Sequence, residues 1–270
     1  MPANPLARPV RPFDQFVPAG VWGVLTDIDD TLTTAGAITP DALQALADLR
    51  AAGLHVIAIT GRPMGWSEPF ARTWPLDAIV AESGAVALFR QGDELKVEYA
   101  QDEATRRANV ARLAQVAERI VREVPGATLA RDSAGRVTDI AIDHSEHAHL
   151  SPTEIEAVVA LMRAEGMTAT VSSIHVNGWF GTHDKLSGAR WIVQRLLGRD
   201  LDAERDHWVY VGDSTNDQAM FGHFPHSVGV ANLMDFADVL EVWPAWITAA
   251  NRGAGFAEVA KKLVSAAAGA

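Results

Sequence analysis

The stretch from residue 22 to residue 33 has the sequence WGVLTDIDDTLT, in which a compact apolar run ends directly in a group of acids. The run Trp22–Thr26 predicts a buried strand. Asp27, Asp29 and Asp30 follow it, and three carboxylates so close together repel one another. A divalent cation would relieve that repulsion, and sites built from carboxylate oxygens select Mg²⁺. An acidic turn without a ligand is the alternative interpretation of this stretch taken alone.

Three further segments carry groups of the kinds that bind phosphate or metal. Thr60 and Gly61 follow the predicted strand Leu54–Ile59, and a hydroxyl and an unobstructed N–H can both donate to a phosphate oxygen. Lys185 stands at the start of a predicted helix. Residues 211–217, VGDSTND, place two acids and an amide just beyond another predicted strand. Each segment alone is also compatible with an ordinary turn or with a solvated surface cation.

The pattern along the chain predicts an α/β fold. Short apolar runs alternate with amphipathic helical stretches before residue 85 and again after residue 181, which is typical of a parallel sheet with helices on both faces. Three of the four polar segments come at the carboxyl ends of predicted strands, where open α/β sheets bind their ligands. We therefore expect acids that are distant in the chain, Asp27 and Asp213, to meet around one cation beside Lys185.

The middle of the chain mixes strands and helices in a different way and predicts an inserted α+β domain. Its predicted elements include a charged helix over Asp102–Glu123 and a single strand over Thr168–Val176. The predicted domain organisation is an N-terminal extension over 1–20, a core formed by 21–85 and 181–270, and a cap domain over 86–180.

Composition limits the function further. The formal net charge is −11, which argues against binding to nucleic-acid backbone or to anionic lipid. Cysteine is absent, so disulfides and thiolate chemistry are excluded. No window of the sequence resembles a membrane span or a signal peptide, and we expect a cytoplasmic protein. The sequence does not indicate the oligomeric state.

Taken in order, the four segments resemble the motifs of the haloacid dehalogenase-like (HAD) phosphohydrolase superfamily over nearly the whole chain after residue 20. The long interval between Thr60 and Lys185 resembles the type IIB branch, whose core is Rossmann-like and whose inserted cap is of type C2B. That branch includes Cof-like sugar phosphatases, sucrose and trehalose phosphate phosphatases, and phosphomannomutase. The resemblance implies a Mg²⁺-dependent phosphatase that hydrolyses a small phosphomonoester, with sugar phosphates as the expected class, through an aspartyl-phosphate.

The resemblance also implies a role for each matching residue. Asp27 would be the nucleophile and a metal ligand, and Asp29 the acid–base residue and a further metal ligand. Asp213 would complete the metal site. The phosphate-binding residues would be Thr60, Gly61, Lys185 and Asn216, with Asp217 orienting its neighbours. Arg62 and Asn177 are candidate substrate contacts. Arg62 could equally pair with the cluster of acids, and Asn177 could equally have no contact with the substrate.

Two other functions remain open from the sequence. A phosphomannomutase-like enzyme would need basic cap residues for a second phosphate, and the predicted cap strands carry Arg131 and Arg136. A non-catalytic HAD-like regulatory or binding module would lack a catalytic acid or a metal ligand, and none is missing. His144, His147 and His149 have a spacing that suggests metal binding, but their polar surroundings favour a solvated loop.

Overall fold

The computed structural model describes residues 10–269, so residues 1–9 of the predicted N-terminal extension lie outside the described residues. The strands are β1 (Arg11–Pro12), β2 (Gly23–Thr26), β3 (Thr33–Thr34), β4 (Ala37–Ile38), β5 (His55–Ile59), β6 (Ala78–Ala81), β7 (Val86–Gln91), β8 (Glu94–Tyr99), β9 (Thr128–Leu129), β10 (Asp139–Asp143), β11 (Thr168–Val171), β12 (His175–Trp179), β13 (Trp208–Gly212), β14 (His226–Gly229) and β15 (Trp246–Ile247).

The α-helices are α1 (Pro40–Ala51), α2 (Met64–Thr73), α3 (Glu103–Glu123), α4 (Pro152–Ala164), α5 (Lys185–Leu197), α6 (Gln218–His223) and α7 (Arg252–Ala267). Their ends follow from local sequence. Asp102 caps α3 by accepting a hydrogen bond from the Thr105 N–H, and Ser151 forms a capping box with Glu154 at the start of α4. Gly198 ends α5 in a left-handed conformation with φ 64°.

By its contacts the chain divides into two compact units, Met1–Val56 with Asp202–Ala270 and Ile57–Leu201. The first unit carries the strands β1-β15-β14-β13-β2 in that order, each parallel to its neighbour. Helices α1 and α7 belong to the same unit and contact each other. The strand residues of β2 and β13 are all buried, as a parallel sheet covered on both faces requires.

The second unit, over Ile57–Leu201, contains two sets of paired strands. In one of them β5 pairs in parallel with β6, and β7 and β8 extend it as antiparallel strands. The other is an antiparallel sheet with the order β11-β12-β10-β9. Helices α3 and α4 pack against this second sheet through a buried apolar cluster that includes Ile120, Ile142, Val158, Met162 and Val176.

These observations confirm the predicted α/β fold class with its parallel-dominated strands. The predicted domain boundaries at residues 86 and 180 stay a prediction. One predicted element is wrong: the single strand over Thr168–Val176 is two antiparallel strands, β11 and β12, in which Val171 pairs with Val176. The Ser172 hydroxyl accepts the N–H groups of Ile174 and His175, which stabilises the turn between them.

Within residues 10–269, none of the helices is both long enough and apolar enough to cross a membrane.

Candidate active site

The first unit brings Asp27 and Asp213 to the same edge of its sheet. Strands β2 and β13 are parallel neighbours in which Thr26 pairs with Val211, and the N–H of Asp27 continues the ladder by donating to the Val211 carbonyl at 2.9 Å. Each acid follows the carboxyl end of its strand. Parallel neighbours end at the same edge, so the register itself places the two acids side by side.

A cluster of three buried carboxylates results, and we call it the acid cluster: Asp27, Asp213 and Asp217. One carboxylate oxygen of each residue lies within 4.8 Å of the others. The three residues are 3%, 0% and 0% exposed. Three ionised carboxylates at this separation in a poorly solvated site repel one another strongly, so the cluster requires a positive partner in its functional state.

Asp217 is engaged mainly by protein donors. Its Oδ2 accepts the N–H groups of Asp213 at 2.9 Å and Ser214 at 3.1 Å, and its Oδ1 accepts the hydroxyl of Tyr210. Gly212 makes this approach feasible, because a Cβ there would lie 2.4 Å from Asp217 Oδ2. Asp217 therefore fixes the start of the loop that carries Asp213, which suits an orienting role.

The pKa of Tyr210 reflects the negative charge of the acid cluster. Its side chain is fully buried, and that burial together with the carboxylates of Asp217, Asp27 and Asp213 raises the pKa of Tyr210 well above its usual value. The hydroxyl therefore stays protonated and acts as a donor to Asp217. The negative electrostatic potential produced by these carboxylates favours the binding of a cation.

The donor set of the acid cluster fits Mg²⁺. Asp27 Oδ1 accepts the Ile28 N–H at 2.8 Å, and Asp213 accepts hydrogen bonds from Thr31 Oγ1 at 3.5 Å and from Asn232 Nδ2 at 3.4 Å. Neutral donors do not cancel the cluster's negative charge. Hard, anionic oxygen ligands are those that Mg²⁺ prefers. Asp29, the other predicted ligand, is 8% exposed two residues beyond Asp27.

Asn232 is a residue of this site that the sequence did not reveal. Its Nδ2 donates to the Asp30 carbonyl at 3.0 Å as well as to Asp213, and its Oδ1 accepts the Arg252 N–H at 2.8 Å. Asp30 itself has a positive φ of 52° and pairs with Arg252 Nε at 2.9 Å. Asn232 thus ties the loop after β2 to the loop after β13, and Asp30 serves in the turn.

The second unit holds three of the four predicted phosphate-binding residues, Thr60, Gly61 and Lys185, whereas Asn216 lies in the first unit. Thr60 is fully buried at the end of β5, and its Oγ1 accepts the Arg62 N–H at 3.0 Å. Gly61 lies against Asn177, whose Oδ1 would be 3.1 Å from a Cβ at that position. This tight turn leaves a backbone N–H without a shielding side chain, which is the feature expected of an anion-binding turn.

A strained turn next to it, Glu82–Gly84, contacts both Thr60 and the start of α5. All three residues have positive φ, of 49°, 54° and 108°. The Ser83 N–H donates to the Thr60 carbonyl at 2.9 Å, and a Cβ on Gly84 would lie 2.1 Å from the Asp184 carbonyl oxygen. Lys185, 3% exposed, is the first residue of α5. The turn Glu82–Gly84 therefore positions both the end of β5, with Thr60, and the start of α5, with Lys185.

Glu82 was missed by the sequence reasoning as well. Its buried carboxylate accepts the N–H groups of Met64 at 3.0 Å, Val137 at 3.1 Å and Thr138 at 2.6 Å. Burial and, after it, repulsion by the Asp139 carboxylate raise the pKa of Glu82 to about 7. The sequence signal was only an acid directly after an apolar run, which has no specific meaning by itself.

The candidate substrate residue Arg62 pairs with acids of its own unit. Its guanidinium lies 3.0 Å from Asp132 Oδ2 and 2.7 Å from Glu146 Oε1. Glu146 also lies 3.0 Å from His175 Nε2, and hydrogen bonding to His175 with the charge of Arg62 lowers the pKa of Glu146 to about 2. The grouping of Asp143, Glu146 and His175 resembles a metal site, but Arg62 already supplies its cation.

The three histidines of the polar loop do not share one environment. His144 is 7% exposed, and its Nε2 is 2.9 Å from the Ser172 carbonyl oxygen, whereas His147 and His149 are exposed. Burial lowers the pKa of His144. The ring of His144 is thus a packed, neutral group at the β11–β12 turn, and the loop interpretation applies to the other two.

The comparisons with known proteins agree with the resemblance. The family model described as haloacid dehalogenase-like hydrolase matches residues 24–121. No curated protein sequence matches the chain. Among solved structures, a protein of Thermoplasma acidophilum is 14% identical with a TM-score of 0.69, covering 91% of this chain and 99% of its own.

Two further solved structures carry a description of function. A haloacid dehalogenase-like hydrolase of Bacteroides thetaiotaomicron is 16% identical with a TM-score of 0.62, covering 90% of this chain and 99% of that one. The sucrose-phosphatase of Synechocystis sp. PCC6803, in complex with sucrose and phosphate, is 16% identical with a TM-score of 0.61, covering 90% and 98%. At these identities the likeness establishes the fold. Together with the family match over residues 24–121, it confirms the predicted resemblance to haloacid dehalogenase-like hydrolases.

Proposed function

Taking the chain as a haloacid dehalogenase-like hydrolase, we propose that it is a Mg²⁺-dependent phosphatase that hydrolyses a small phosphomonoester, with sugar phosphates as the substrate class. The observation that carries this proposal is the acid cluster, in which Asp27, Asp213 and Asp217 lie within 4.8 Å at the carboxyl ends of parallel strands. Buried acids gathered at that edge of a sheet support metal-assisted chemistry on an anionic substrate.

In this proposal Asp27 is the nucleophile. Its carboxylate oxygen attacks phosphorus, the bond to the ester oxygen breaks, and Asp29 gives its proton to that leaving oxygen. Water then attacks the phosphorus of the aspartyl-phosphate while Asp29 takes a proton from it, so phosphate departs and the carboxylate of Asp27 is regenerated. Asp29 can act in both steps because it loses a proton to the leaving oxygen in the first step and regains one from water in the second.

The remaining residues offset charge and orient the phosphoryl group. Mg²⁺, held by Asp27, Asp213 and the Asp29 main-chain carbonyl, would reduce the repulsion between the carboxylate and the phosphate. Lys185 adds a positive charge, and Thr60, the Gly61 N–H and Asn216 donate hydrogen bonds to phosphate oxygens. Asn216 Oδ1 accepts the Ser214 hydroxyl at 3.1 Å, which supports an orientation with its NH₂ available to an anion.

The substrate class follows from less direct support. The sucrose-phosphatase binds sucrose and phosphate, and this chain resembles it over 90% of its length. A sugar phosphate is a small, polar ester, and the net charge of −11 argues against a polyanionic polymer as the substrate. The absence of cysteine agrees with a reducing compartment, and we propose the cytoplasm.

The structure weighs against the mutase alternative at Arg136. That side chain is 2% exposed and is held by Asp139 Oδ2 at 2.8 Å and Asp132 Oδ1 at 3.2 Å. An arginine committed to two carboxylates is a poor ligand for a second phosphate of a substrate. Arg131 is exposed and remains the single basic candidate of the two.

The test is a panel of phosphomonoesters, including hexose 6-phosphates and p-nitrophenyl phosphate, assayed with Mg²⁺ and with EDTA. We expect phosphate release only with Mg²⁺, none from Asp27→Asn, and full activity from Asp41→Asn, whose carboxylate is exposed at the start of α1. Acid quenching during turnover of labelled substrate would trap protein-bound phosphate on the wild type alone. Unchanged activity in Asp27→Asn would exclude the mechanism and favour a non-catalytic module or another nucleophile.

A further inference from the structure

The turn Thr60–Gly61–Arg62 is held through each of its carbonyl groups. The Thr60 carbonyl accepts the Ser83 N–H at 2.9 Å, and the Arg62 carbonyl accepts the Glu82 N–H at 2.9 Å. Between them, the Gly61 carbonyl accepts two side-chain donors. Carbonyl and N–H of one trans peptide point in opposite directions. Holding the Thr60 carbonyl on Ser83 therefore directs the Gly61 N–H to the other side of the turn.

The two donors to Gly61 come from the segment before β10 and from β12 of the antiparallel sheet. Arg136 Nη1 lies 2.9 Å from the Gly61 carbonyl oxygen, and Asn177 Nδ2 lies 3.2 Å from it. Glycine alone has little intrinsic preference in φ and ψ. With the peptide planes on both sides of Gly61 fixed by hydrogen bonds, these two angles are fixed as well.

Asp139 organises both donors. Its carboxylate binds Arg136 Nη1 at 2.8 and 3.0 Å and accepts Asn177 Nδ2 at 3.1 Å. Arg136 also reaches Asp132 through Nη2 at 3.2 Å. The planar guanidinium can span two carboxylates and a carbonyl in a fixed fork, which the ammonium of a lysine cannot. Arg136, Asp139 and Asn177, which we call the Gly61 clamp, are all buried in side chain.

We propose that Arg136 is a positioning residue for phosphoryl transfer: by holding the Gly61 carbonyl it fixes the peptide plane between Gly61 and Arg62. Together with the plane between Thr60 and Gly61, which Ser83 holds, this fixes the turn that presents the Gly61 N–H to an anion. The inference rests on the proposed phosphatase function. It differs from a substrate-binding role, because the guanidinium is 2% exposed and is spent on protein acceptors. It also makes the geometry of the turn depend on the antiparallel sheet that carries Asp139 and Asn177.

The test separates positioning from substrate contact by steady-state kinetics. For Arg136→Lys we expect kcat to fall about tenfold to a hundredfold with every ester of the panel, p-nitrophenyl phosphate included, while KM changes by less than about threefold. A substrate contact would instead raise KM for some esters and spare others. The exposed Arg107→Met in α3 is the matched control, and it should match the wild type.

A double-mutant cycle with Asn177→Ala gives a second criterion. If both side chains act through one carbonyl, their effects on kcat are less than additive, whereas independent contacts add. Should Arg136→Lys fail to fold by circular dichroism, Asn177→Ala alone decides: a loss of kcat common to all esters supports the clamp, and a loss confined to one ester overturns it.

Binding of inorganic phosphate, followed by ³¹P NMR with Mg²⁺ present, distinguishes the two proposals. A wild type that hydrolyses every ester class poorly but binds phosphate, with weaker binding in Arg136→Lys, would remove the phosphatase function and keep the clamp. If the wild type hydrolyses esters and Arg136→Lys leaves both kcat and KM unchanged, the phosphatase function stands and the role of the Gly61 clamp is overturned. A wild type that neither hydrolyses esters nor binds phosphate would overturn both proposals.

Discussion

The N–H of Asp27 donates to the carbonyl of Val211 at 2.9 Å, one step beyond the last pair of strands β2 and β13. This bond fixes the nucleophile candidate relative to the strand that delivers Asp213. The two acids are therefore held near each other by backbone geometry. Such preorganisation means that the binding of a metal has little ordering entropy to overcome. The repulsion among the acids destabilises the metal-free protein, and a bound cation relieves it.

That balance predicts the behaviour of Asp213→Asn. In EDTA we expect this variant to unfold at the same temperature as the wild type or higher, because one of three mutually repelling charges is removed. At a Mg²⁺ concentration of about 100 times Kd, the wild type should gain about 2.7 kcal/mol, and the variant should gain much less. Thermal unfolding with and without Mg²⁺ measures both. Asp41→Asn is the control, and an equal Mg²⁺ shift in all three proteins would contradict the site.

Tyr210→Phe tests the support of Asp217. The change removes one hydroxyl donor to a buried carboxylate and leaves the ring packing on Phe221 and Phe224 in place. We expect a loss of about 1–3 kcal/mol in the free energy of unfolding, because the carboxylate loses a partner that water cannot replace. Urea denaturation measures it. Tyr99→Phe, at a partly exposed position, should lie within about 0.5 kcal/mol of the wild type; an equal loss in both would refute the role.

Glu82 gives a prediction on pH. Its pKa is raised from 4.5 to about 7 by burial and by Asp139. Between these values the folded protein binds more protons than the unfolded chain, so its stability falls as pH rises from about 4.5 to about 7 and is lowest above that window. In Glu82→Gln this contribution is absent. The free energy of unfolding of Glu82→Gln, minus that of the wild type, should therefore increase from pH 5 to pH 8.

The same comparison needs a control at an ordinary carboxyl. Glu103→Gln changes an exposed acid in the first turn of α3, and its difference from the wild type should stay flat over the pH range. A flat difference for Glu82→Gln as well would show that Glu82 ionises normally in the folded protein.

Gly84→Ala tests the strained turn. A Cβ there would lie 2.1 Å from the Asp184 carbonyl oxygen at a φ of 108°, so both sterics and backbone conformation oppose it. We expect a loss of about 2–4 kcal/mol in unfolding free energy. Gly92→Ala is matched in having positive φ, 64°, but has open space around it and should cost about 1 kcal/mol. Equal losses would mean that the contact with Asp184 relaxes freely.

The strands that carry the acids could be predicted from sequence because the signals are local. Trp22–Thr26 is a short apolar run followed directly by Asp27, and Trp208–Val211 is one followed by Gly212 and Asp213. Because ligands bind at the carboxyl ends of parallel strands, these two signals predict where the acids meet. The predicted helix over Asp102–Glu123 agrees with α3 for the same reason, since the signal for its cap at Asp102 lies in neighbouring residues.

What could not be predicted depends on contacts between distant segments. The residues 168–179 contain many β-branched side chains, so the turn at Ser172 was hidden inside an apparently continuous strand. Glu82, Arg136 and Asn232 have no local signature: each acquires its role from backbone groups far along the chain, such as Val137, Gly61 and Asp30. Side-chain identity alone gives no access to such partners.

The first unit is assembled from two stretches of chain on either side of Ile57–Leu201, and this arrangement sets a schedule during translation. A ribosome releases Asp27 early, yet Asp213 and Asp217 emerge only after the entire intervening unit has been made. The nascent polypeptide has no complete cation pocket until that moment, although domains begin to fold as they appear. A product terminated prematurely within the intervening unit would therefore lack the acid cluster on which the proposed activity depends.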